Sequence, residues 1–108
     1  MMTKFKTQSN IIPQDVVVDY TIVDVNMNVE TKQHINNEGN FETYYEYDTF
    51  RFDKKDFEGM EERDIKIVAT IRTRYSQNDE LAILRQKDTK PLKFAEYNAF
   101  VTEILSKY

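Results

Sequence analysis

Residues 15–30 read DVVVDYTIVDVNMNVE. Val16, Val18, Tyr20 and Ile22 alternate with Val17, Asp19 and Thr21, which is the period of a half-buried strand rich in β-branched residues. From Val23 the apolar phase slips to Val23, Val25, Met27 and Val29, with Asp24, Asn26, Asn28 and Glu30 opposite. Sixteen residues exceed the usual length of one strand. The slip predicts either one strand bent by a β-bulge or two short strands that meet near Ile22–Val23.

The reading extends outward from this stretch. Asn36, Asn37, Gly39 and Asn40 are turn residues that tolerate positive φ. Beyond them, residues 41–52 read FETYYEYDTFRF. Phe41, Tyr45 and Tyr47 share one face, and Glu42, Tyr44, Glu46 and Asp48 share the other, with a phase slip expected before Phe50 and Phe52. The two segments predict an antiparallel hairpin around the Asn/Gly turn. Upstream, Pro13 disfavours helix at Ile12, and residues 1–14 either pack through Phe5, Ile11 and Ile12 or form a loose N-terminal arm.

Downstream the period changes. Phe57, Met60, Asp64, Ile67, Val68, Ile71 and Tyr75 follow three-and-four spacing, which favours a helix over about 59–74. A strand at Ile65–Ile71 is the alternative, because IKIVATI also alternates. Ser76 and Asp79 have the spacing of a capping box for a helix running to about Lys87 and presenting Leu81, Ile83 and Leu84. Pro91 suits the first turn of another helix, whose stripe is Phe94, Tyr97, Val101, Ile104, Leu105 and Tyr108. Strands followed by helices predict an α+β fold. It comprises an N-terminal antiparallel hairpin or small sheet, with a C-terminal helical hairpin packed on one face. The 108 residues read as one domain, with a β-rich half at 15–52 and a helical half at 57–108.

Composition narrows the chemistry. The chain has no Cys, no Trp, one His and two Gly. Two glycines cannot build a glycine-rich phosphate loop, there is no HExxH, and no glycine-flanked Ser marks a nucleophile elbow. His34 reads as a solvated loop histidine. A zinc site would rest on one His and carboxylates, so no metal and no cofactor is expected. Residues 1–8 lack the apolar core of a secretory signal, and no apolar run has the length of a membrane span. Six basic against eleven acidic groups give −5 over residues 1–60, and nine against eight give +1 over 61–108. No nucleic-acid partner is expected of such a chain. The basic stretch Arg72, Arg74, Arg85, Lys87, Lys90 and Lys93 is diluted by Asp79, Glu80 and Asp88, and reads as helix electrostatics.

The densest feature is the aromatic cluster of 41–52. Tyr gives a large contact area with a polar tip. Phe41, Tyr44, Tyr45 and Tyr47, with Glu42, Glu46 and Asp48 among them, form the candidate interaction surface. Cross-strand aromatic pairing for stability is the competing reading of the rings. A solvent-facing charged row that protects a sheet edge is the competing reading of the acids. A carbohydrate platform is weaker for want of Trp.

Three segments of the C-terminal half carry a pattern: IRTRYS at 71–76, DELAILRQ at 79–86, and KPLKFAEYNAFV at 90–101. Over about residues 67–105 the chain resembles small proteins encoded in the tail and baseplate region of bacteriophages and prophages. Their pattern is IRxRYSxxDELAxxRQ followed by KPxEFxxYxxFV. Leu92 and Lys93 depart from the acidic pair that often follows the Pro. The resemblance implies a non-enzymatic protein acting by protein–protein contacts, as a virion tail or baseplate component or an assembly helper. Its partners would be other phage structural proteins or a second copy, and its place the virion or the host cytoplasm. The alternative is an inhibitor of a host enzyme or defence complex, with the acidic N-terminal half covering a basic groove of that host protein.

Overall fold

The computed structural model describes residues 2–108. The fold is α+β, with a four-stranded antiparallel sheet in the N-terminal half and three helices after it. The strands are β1 (Thr3–Ser9), β2 (Val16–Val18), β3 (Ile22–Ile35) and β4 (Phe41–Asp53), in the order β1-β4-β3-β2. A short 3-10 turn, Lys54–Phe57, precedes α1 (Glu62–Arg72), α2 (Gln77–Arg85) and α3 (Pro91–Lys107). The chain divides into two compact units at Met60/Glu61.

In the sheet unit, β3 and β4 form the expected hairpin. Asn36 Oδ1 accepts from the N–H groups of Glu38 and Asn40, at 2.9 and 3.0 Å, and Gly39 closes the turn at φ 80°. Glycine has no Cβ to oppose that conformation. The core lies at the other end of the hairpin. Val23 faces Phe52 and Val25 faces Phe50 across the strands, and all four are buried. Val16 and Val18 of β2 extend the same face opposite Val25 and Val23. Phe57 closes the cluster edge-on against Phe52, at 5.0 Å between ring centroids.

Several sequence-based expectations change here. Residues 3–9 are not a loose arm but an edge strand, paired from Thr3↔Arg51 to Ser9↔Tyr45. The bend near Ile22–Val23 resolves into two strands, joined by a tight turn in which the Asp19 N–H donates to the Ile22 carbonyl at 2.9 Å. The bulge lies further on, between Met27 and Glu30, where Asn28 takes φ 57°. Asn is among the few residues with a side chain that enter the left-handed region readily. One extra residue moves the even-numbered positions after it, Glu30, Lys32 and His34, onto the face occupied by Val23 and Val25 before it. β4 itself is unbroken, because its pairing with β1 runs without interruption past Phe50. Phe50 and Phe52 therefore share a face with Tyr44, Glu46 and Asp48, and no phase slip separates them.

In the helical unit, residues 62–72 are helix, not strand. Gly59 at φ 76° ends the preceding turn, so α1 starts at Glu62. Ile65, Ile67, Ala69 and Ile71 are all buried. At about 100° per residue, positions two apart lie on nearly opposite sides of a helix. A helix buried on two sides thus displays the alternation of a strand. The Ile67 and Ile71 stripe meets Ile104 of α3, with Tyr75, Phe100, Val101 and Tyr108 around it. The capping box is formed: Asp79 N–H donates to Ser76 Oγ at 3.0 Å and Ser76 N–H to Asp79 Oδ2 at 3.2 Å. Pro91 opens α3. Leu81 and Leu84, expected as the inward face of α2, are exposed, and α2 has no buried residue.

Candidate functional site

The β3–β4 hairpin outruns its neighbours. β2 pairs with β3 only over Val23–Val25, and β1 stops at Tyr45 of β4. From Thr31↔Tyr45 to Ile35↔Phe41, the described residues of the sheet form a ribbon whose two strands pair with each other. Three groups of side chains dress this ribbon and its base.

Glu42, Glu46 and Asp48 of β4 lie on one face, each met by a partner from a flanking strand or the turn. Lys6 Nζ is 2.9 Å from Asp48 Oδ1, and Asn28 Nδ2 donates to Asp48 Oδ2 at 2.9 Å. Gln8 Nε2 donates to Glu46 Oε2 at 3.1 Å, and Lys32 Nζ to Glu46 Oε1 at 3.3 Å. His34 Nε2 lies 3.1 Å from Glu42 Oε2, while Asn36 Nδ2 donates to Glu42 Oε1 at 2.9 Å. The Asn28 and Lys6 hydrogen bonds hold the Asp48 carboxyl below the usual carboxylate range. Gln8 and Lys32 do the same for Glu46. In return, Asp48 and Glu46 raise the ammonium groups of Lys6 and Lys32.

This arrangement changes the reading of the acids. β4 is an interior strand as far as Tyr45, so Glu46 and Asp48 protect no edge, and only Glu42 lies where β1 no longer covers the strand. Asp48 is buried, and both Asp48 and Glu46 are neutralised within the sheet. The aromatic residues also separate. Tyr47 is buried opposite Thr7 of β1, and Tyr45 is half-buried between Ser9 and Thr31. Tyr44 is half-buried and tilted against the His34 ring at 5.5 Å between centroids. Gln8, Ser9, Asn10, His34 and Tyr44 line an open groove beside it. Phe41, by contrast, is 72% exposed. Its partner across the ribbon, Ile35, is 63% exposed on the same face. The clustering of aromatic residues gives no sign of Ile35. The signal in the sequence is the Asn36–Asn40 turn, which sets Ile35 opposite Phe41.

Residues of the C-terminal pattern take structural positions. Arg72, at the end of α1, reaches Glu80 in the first turn of α2 with Nη2 3.5 Å from Oε1. The other Glu80 oxygen accepts a short hydrogen bond from the Tyr97 hydroxyl of α3. Burial first, and then this carboxylate, push the Tyr97 phenol up to about 12. Tyr75 packs edge-on against Tyr97 at 5.2 Å, and the Arg74 guanidinium lies 4.9 Å from the Phe100 ring. One residue from each helix, Arg72, Glu80 and Tyr97, thus ties α2 in place.

Among the described residues, no group of three or more His, Asp or Glu side chains is placed to hold a metal ion. No described helix is long and apolar enough to cross a membrane. No protein-family model, curated protein or solved structure matches the chain.

Proposed function

We propose that this is a non-enzymatic contact protein of the bacteriophage tail or baseplate region, a virion component or an assembly helper. It docks another structural protein through the end of its hairpin. The observation that carries the reading is the pair Ile35 and Phe41, held side by side in register and largely exposed on the ribbon. Single exposed apolar residues are ordinary, but two large ones locked together offer a preformed anchor. Burying each in a partner is worth roughly 1.5–3 kcal/mol. The β4 acids add little net attraction for a basic partner, since Glu46 and Asp48 are already ion-paired. The pattern over residues 67–105 supports the phage assignment, and its residues serve to hold the helices together.

The test is co-purification with the products of neighbouring reading frames, together with mass spectrometry of purified particles. The double variant Ile35→Ser/Phe41→Ser should lose the partner while keeping the melting temperature. Undiminished capture by that variant, or absence of the chain from both particles and assembly intermediates, would overturn the reading.

A further inference from the structure

The ribbon has a second surface, the outward backbone edge of β3. β2 covers this edge as far as Val25, and Asn26 N–H donates to the Asp15 carbonyl at 2.9 Å. Beyond Asn26 no strand of the described residues pairs with it, and Val29, Glu30, Thr31, Gln33, His34 and Ile35 are exposed. The turn sets which backbone groups point outward. Asn36 N–H donates to the Asn40 carbonyl at 2.9 Å, so Asn36 and Asn40 are a hydrogen-bonded pair. Antiparallel pairs alternate between bonded and non-bonded. Glu30, Lys32 and His34 therefore bond to β4, while Thr31, Gln33 and Ile35 direct their N–H and C=O groups away from it.

We infer that this edge pairs antiparallel with the same edge of a second copy, about a two-fold axis at Thr31. In that register Thr31 faces Thr31 of the second copy, and both present outward hydrogen-bonding groups. Glu30 faces Lys32, and Lys32 faces Glu30, at the non-bonded positions where side chains come closest. The sequence ETK at 30–32 is thus complementary to its own reverse in both charge and hydrogen-bond phase. A two-fold axis demands this self-complementarity. The opposite edge of the sheet lacks it. β1 carries Lys4 and Lys6 and no acid, so self-pairing there cannot match opposite charges, and the lysines guard it. Within one chain Lys32 already lies 3.7 Å from Glu30. The second copy supplies each Glu30, 63% exposed at its side chain, with another cation.

This inference is independent of the docking role of Ile35 and Phe41: that role rests on two side chains on a sheet face, whereas the pairing centred on Thr31 uses the backbone groups of the edge. Sedimentation equilibrium on the full chain over a concentration series reads it directly. The wild type should show a monomer–dimer equilibrium. Thr31→Pro removes an outward N–H that β4 does not use, and should weaken the dimer at least about tenfold. Glu30→Lys and Lys32→Glu should each be monomeric alone, because like charges then face each other. Mixed in equal amounts they should dimerise again, a readout that a merely misfolded variant cannot give. A wild-type chain monomeric throughout the series overturns the inference. So does a dimer that survives both charge variants, or a mixture that stays monomeric.

Discussion

The two ends of the β3–β4 hairpin are built by the same pairing rule and held by different forces. At the base, Val23, Val25, Phe50 and Phe52 are buried, with β1 and β2 on the flanks. At the tip the strands have each other, the Lys32–Glu46 ion pair and the contacts of His34 and Asn36 to Glu42, and two apolar side chains face water. The bulge at Asn28 marks the change, since it replaces Met27 and Val25 on that face by Glu30 and Lys32. The contrast teaches that one continuous strand can be core at one end and interaction surface at the other. The divide is set by how far the neighbouring strands reach.

The largest test of this contrast is at the base. Phe50→Ala should cost about 3–5 kcal/mol of unfolding free energy in a chemical denaturation series. A cost below about 1 kcal/mol would mean that the base is not the core of the sheet. An intermediate effect is expected at the junction on acidification. Asp48 and Glu46 have folded-state pKa values below their unfolded ones. Their pairs stabilise the fold above the unfolded carboxylate value of about 4, and this contribution is lost as pH falls through the folded values. The Lys6 and Lys32 ammoniums are raised, so their share is complete below about pH 10.4 and fades as pH rises through the folded values. Melting temperatures followed from neutral to acidic pH should therefore fall less steeply in a Lys6→Ala/Lys32→Ala variant than in the wild type. Equal slopes would sink the pairing argument. The smallest effect is at the tip: Phe41→Ser should change stability by no more than about 0.5 kcal/mol by the same denaturation.

Much of the fold is legible in the sequence where local chemistry decides. The Asn/Gly turn, the Ser76–Asp79 box and Pro91 act within a few residues of themselves, and each marks its element. β1 escaped because TKFKTQS has one apolar residue, and its pairing with β4 is fixed by partners more than 35 residues away. The slip near Ile22–Val23 marks the break between β2 and β3, the two-strand alternative, whereas the bulge itself leaves no trace because Val25, Met27 and Val29 keep an apolar phase straight through the site where Asn28 breaks the ladder. The candidate site was half legible. Alternation assigned Phe41, Tyr45 and Tyr47 to one face and Glu42, Tyr44, Glu46 and Asp48 to the other, as the register has them. It could not show that Lys6, Gln8 and Lys32 meet the acids, because those contacts join separate strands.

α2 illustrates a last consequence. It fully buries no side chain, and it is held by the half-buried Ile83, by the Glu80 contacts to Arg72 and Tyr97 and by its own cap. Such an element opens by local unfolding at a free energy well below that of the whole chain. Its amides should exchange with solvent through excursions in which α1 and α3 keep their packing at Ile67, Ile71 and Ile104. A protease present at low concentration would then first cut within Gln77–Arg85 of the helical unit, at a rate set by how often Glu80 lets go.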